Sequence, residues 1–90
     1  MVVSKERRKR VEVFGPKDCL IYYKKDGSWY RYNPNLFSED VAEKVAESIK
    51  TVYPERSVFV LRVKDPFLFP DKTSNKKDLV ARGKVVWSKA

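Results

Sequence analysis

Residues 19–33, CLIYYKKDGSWYRYN, constrain the fold more than any other stretch. Two apolar-aromatic runs flank Asp26-Gly27. That pair suits a two-residue type I′ turn, because both central residues of the turn take positive φ. A tight turn dictates the register of the hairpin. Lys25 then lies opposite Ser28, Lys24 opposite Trp29, Tyr23 opposite Tyr30, Tyr22 opposite Arg31 and Ile21 opposite Tyr32. Opposed residues share a face, and faces alternate along each strand. One face therefore carries Ile21, Tyr23, Tyr30 and Tyr32, and the other Leu20, Tyr22, Lys24, Trp29 and Arg31. The first reads as core. The second, flat rings among cations, reads as an open sheet surface able to stack bases and hold phosphates.

The rest of the chain supplies a helix and further strands. Residues 11–14 read as a short strand, turned into the hairpin by Gly15-Pro16-Lys17-Asp18. Ser38 is the expected helix N-cap, with Glu39 and Asp40 suiting the dipole of the first turn. The helix should run to about Tyr53, because the residue before Pro54 avoids the helical region. Val41, Ala42, Val45, Ala46, Ile49 and Val52 form its apolar stripe, and its outer face is acidic. Residues 57–63, SVFVLRV, are apolar on both sides until Arg62, as a central strand would be. Residues 64–77 read as a long loop whose middle, Pro66-Phe67-Leu68-Phe69-Pro70, either folds onto the core or presents a partner-binding tip. From Leu79 to Trp87 a period of two predicts a last strand with a bulge at Gly83.

The expected fold is thus a single small α+β domain, β-β-β-α-β-β, with a largely antiparallel sheet and one helix packed on one face. Residues 1–10 read as a flexible basic arm and residues 11–90 as the domain.

Charge sharpens the functional reading. The net charge is +8, and it is unevenly spread. Residues 1–10 carry five basic and one acidic side chain, residues 54–90 nine and four, and the helical segment 38–53 only two against four. Basic charge kept off one element fits a polyanion-binding surface elsewhere.

Catalytic chemistry is hard to assemble from these residues. The chain has no histidine and one cysteine, Cys19, which opens an apolar strand and reads as a small buried residue. A disulfide within the chain and a Cys/His zinc site are both excluded. Gly15, Gly27 and Gly83 are too scattered for a phosphate-cradling loop, and no acid stands two residues before a lysine. No enzyme activity, cofactor or metal is expected. A lone thiol suits a reducing compartment, so the expected location is cytoplasmic. No apolar run approaches the roughly 18 residues that span a bilayer, and no signal segment is visible, so no membrane partner is expected. The chain has no glutamine, which together with abundant lysine and arginine fits a thermophile source.

The reading that follows is a small basic nucleic-acid-binding protein, with single strands or RNA favoured over duplex. Its expected contacts are Arg7, Arg8, Lys9 and Arg10 of the arm, and Tyr22, Lys24, Lys25, Trp29 and Arg31 of the hairpin. Arg62, Arg82 and Lys84 are expected to join them from the later strands. The alternative is a protein-interaction module or an accessory or inhibitory subunit, viral sources included. It would bind a protein partner through the 66–70 loop, or form a homodimer through the same sheet face.

Overall fold

The computed structural model describes residues 16–90. The basic arm and the strand expected at residues 11–14 lie outside them. Strands β1 (Lys17–Lys25) and β2 (Ser28–Arg31) form the hairpin. Its turn residues, Asp26 and Gly27, have φ of 54° and 81°, as a type I′ turn requires. The register is the expected one, from Lys25 opposite Ser28 to Tyr22 opposite Arg31. Beyond β2, the Tyr32 amide still donates to the Ile21 carbonyl at 2.8 Å.

The chain continues as β3 (Phe37–Ser38), α1 (Glu39–Val52), β4 (Val58–Arg62), a 3-10 turn η1 (Pro66–Leu68), β5 (Lys72–Thr73), α2 (Lys76–Arg82) and β6 (Lys84–Lys89). The strands form one sheet in the order β5-β2-β1-β4-β6, with β3 also paired to β1. Every pairing is antiparallel. The fold is α+β, with the major helix on one face, as expected.

Strand β1 is long enough to serve two partners along one edge. β2 pairs with residues 22–25 and β3 with residues 17–19. Asn33 fills the gap between them. Its Oδ1 accepts from the Ile21 amide at 2.8 Å, and its Nδ2 donates to the Cys19 and Asn35 carbonyls at 3.0 and 2.8 Å. A buried amide side chain thus continues a ladder that the backbone leaves open.

The sheet is covered on both faces. On one side α1 lays Ala42, Ala46, Val45 and Ile49 over Cys19, Ile21, Val58 and Val60. Small residues let the helix approach closely. On the other side Val63, Phe69 and Leu79 pack onto Leu20, Tyr22, Trp29, Phe59 and Leu61. β4 lies between β1 and β6 and buries both its faces, which explains its unbroken apolar run.

Two expectations about the C-terminal region are corrected. Residues 79–82 belong to α2 rather than to a strand, and Leu79 is its one buried side chain. The bulge falls at Val86, not at Gly83. Val60 faces Trp87 while Leu61 faces Val85, so one extra residue lies between them. The extra residue turns both Val86 and Trp87 toward α1, leaving Val85 on the opposite face. Gly83 is instead a place of close approach. A Cβ there would stand 2.7 Å from Leu61 Cγ and 2.9 Å from the Arg62 carbonyl oxygen.

Candidate nucleic-acid interface

The face expected to be open is closed by the chain itself. Tyr22 is 0% and Trp29 7% exposed, beneath the segment that follows β4. Polar contacts as well as apolar ones fasten that segment. The Tyr22 hydroxyl donates to the Pro70 carbonyl at 2.7 Å. The Arg31 guanidinium donates to the carbonyls of Asn33, Pro34, Pro66 and Phe69, at 2.8 to 3.3 Å. Arg31 is therefore a clamp between β2 and η1, with four of its five N–H donors already used.

The other expected contacts disperse. Arg62 points to the α1 side, opposite Cys19, and pairs with Asp18 at 3.5 Å and with Glu39. Lys84 lies opposite Arg62 at that same end of the sheet. Arg82 pairs with Asp78 at 3.1 Å and donates to the Leu68 carbonyl at 2.7 Å. Arg7, Arg8, Lys9 and Arg10 lie outside the described residues. Of the expected contacts among the described residues, Lys24 and Lys25 are the two that remain exposed cations at the hairpin end.

At that end a different basic site is built. An open cleft of about 530 Å³ is lined by Lys24, Lys76, Lys77 and Lys89 over Trp29 and Phe59. No acidic side chain lines it, and none of these lysines enters an ion pair among the described residues. Three separate elements supply the cations: the end of β1, the first turn of α2 and the end of β6. Lys76 Nζ lies 5.1 Å from the ring centroids of both Trp29 and Phe59, and Lys24 Nζ lies 5.9 Å from Trp29. The ring faces steady the ammonium groups by cation–π attraction without neutralising them. Such an arrangement can hold an anion with several charged oxygens. Lys76 and Lys77 are not legible as a site in the sequence because they close a polar loop; Trp29, the ring partner of Lys76, is 47 positions away in the chain.

The exposed tyrosine rings lie on the opposite face. α1 packs mainly on β1 and β4, and past its end the tyrosines of the hairpin emerge. Tyr23 and Tyr30 stack with centroids 5.7 Å apart and planes 21° apart. Tyr32 is 48% and Tyr53 42% exposed. Arg56 lies 3.9 Å from the Tyr53 centroid and 5.6 Å from that of Tyr23, and Lys72 Nζ lies 5.5 Å from Tyr30.

The titratable groups with displaced pKa values are not part of either surface. Burial pushes the Cys19 thiol up to about 12, helped by its hydrogen bond to Asp18. Burial likewise raises the Tyr22 phenol to about 12. Both are structural, inert groups at neutral pH. Among the described residues no three His, Cys, Asp or Glu side chains gather as metal ligands would, and no helix is long and apolar enough to cross a membrane. No protein-family model, no curated protein and no solved structure matches the chain.

Proposed function

We propose that the protein binds nucleic acid by its phosphates, in the lysine cleft at the hairpin end. One observation carries this reading: four lysines from three elements surround an opening without an acidic side chain. Mutually repelling cations held together gain from a polyanion, which releases its condensed counterions on binding. Four cations consecutive in the sequence, Arg7, Arg8, Lys9 and Arg10, add to the same chain's attraction for phosphate. The acidic outer face of α1 lies on the other side of the sheet and would orient the molecule as it approaches.

Titration of a labelled oligonucleotide at several salt concentrations tests the reading, with the K76E/K77E variant as the probe of place. The wild type should bind, and the variant should bind at least tenfold more weakly with an unchanged circular dichroism spectrum and Tm. Four lysines each meeting one phosphate of a single strand give a slope of log K against log salt of about −3. Binding that survives K76E/K77E intact would remove the cleft from the account.

A second reading, a protein-interaction module, is favoured by one feature. Phe67 is 94% exposed at the tip of η1, beside an exposed Leu68. If no nucleic acid binds at low salt, this tip is the surface to pursue.

A further inference from the structure

We infer that the tyrosine surface beyond the end of α1 is a base-stacking subsite, and that the protein's ligand is therefore single-stranded. The inference rests on the phosphate-binding reading above and adds to it the face that receives the bases. Tyr32 and Tyr53 are the exposed rings of this surface, and with Tyr23, Ile49 and Arg56 they line a concavity of about 210 Å³. Arg56 stands against the Tyr53 and Tyr23 rings of the concavity, and Lys72 against the neighbouring ring of Tyr30, which stacks on Tyr23. Rings offer flat faces to bases, and the cations beside them offer charge to the connecting phosphates.

The concavity and the lysine cleft are joined. Arg56 also lines a groove under the hairpin turn, together with Lys24, Lys25 and Ser57. Lys24 and Ser57 in turn line the lysine cleft. Asp26 and Glu55 share that groove, where the three cations outnumber them. A strand can thus run from the tyrosines on the α1 face, around the hairpin end, to the lysines on the other face. A duplex hides its bases within its own stack and is too stiff to follow such a turn. A single strand can do both.

The chemistry of the route assigns a division of labour. The lysines should bind any phosphate polymer. The tyrosines should bind only a polymer with accessible bases, and with little regard for which base, because every base has a π face.

The test compares three labelled probes of equal length: oligo(dT), an abasic deoxyribose-phosphate oligomer and a blunt duplex. Wild-type protein should bind oligo(dT) at least fivefold more tightly than either of the others. The Y32A/Y53A variant should lose that preference while keeping wild-type affinity for the abasic oligomer. The Y32F/Y53F variant should keep it, because the ring and not the hydroxyl does the stacking. The Tyr32 and Tyr53 ring resonances should also shift upfield when oligo(dT) is added. Equal wild-type affinity for oligo(dT) and the abasic oligomer would overturn the stacking subsite and leave the lysine cleft standing. Absence of binding to all three probes would overturn both.

Discussion

Asn33 stands in for backbone where the chain leaves the sheet. Between β2 and β3 the Ile21 amide and the Cys19 carbonyl would be unpaired beneath α1, and the Asn33 amide meets both. Replacing it with alanine strands two buried backbone groups and removes three hydrogen bonds. The expected cost is about 2–4 kcal/mol, read from the urea midpoint at constant m. Ser38 is the contrary case. It occupies the N-cap position in extended conformation, as expected, yet makes no capping bond, and its buried Oγ has no partner. An N-cap serine replaced by alanine ordinarily costs about 1 kcal/mol. Here S38A should be neutral or slightly stabilising in the same urea experiment, since an unpaired hydroxyl is removed. The sequence shows Asn33-Pro34-Asn35 ending the second strand of the hairpin and Ser38 as a cap. It cannot show what their side chains touch, because Asn33's partners are set by how β1 runs alongside.

At the scale of elements, legibility follows the range of the interactions. The hairpin is decided locally: Asp26-Gly27 selects the turn, and the turn selects the register. α1 is legible for the same reason, with its acidic first turn, its stripe and Pro54 all contained in the continuous segment 39–54. The span from Leu79 to Trp87 is not. A seven-residue helix with one buried side chain has too little periodicity to distinguish it from a strand. Asn75 caps its first turn, its Oδ1 accepting from the Asp78 amide at 3.2 Å, and Leu79 anchors it by entering the cluster beneath. The segment covering Trp29 owes its position to Arg31 as well as to Phe69. R31A frees the Pro66 and Phe69 carbonyls and should cost about 1–3 kcal/mol. Hydrogen exchange should quicken at the Leu68 and Phe69 amides, which close η1. Tryptophan emission should move to the red as Trp29 meets water. Unchanged exchange in η1 would show that the segment is held without Arg31.

For the whole molecule, the covering of both sheet faces has a consequence at alkaline pH. Cys19 and Tyr22 face opposite layers, and burial raises both, each to about 12. In the unfolded chain they ionise from their ordinary values of 9.0 and 10.0. The folded state therefore holds protons that the unfolded state releases. Stability is complete below about pH 9 and falls as pH rises toward 12, by up to about 1.4 kcal/mol per pH unit for each group. Thermal melts across this window should show the decline, and C19A should flatten its lower part. An undiminished Tm at pH 11 would contradict the burial of both groups. The same covering decides where function can reside. The sequence by itself determined the hairpin and its register, the major helix, the central strand, the α+β class and the excess of basic charge. Each follows from neighbours in the chain or from simple counting. Which face of the hairpin would be open was decided only by tertiary structure. Faces alternate with equal regularity whether or not something lies over them. The cover came from residues 64–83, whose apolar anchors Phe69 and Leu79 are spaced too irregularly to announce a layer. Tyr22 and Trp29 went inside with it, and folding brought distant lysines and tyrosines together at the hairpin end instead.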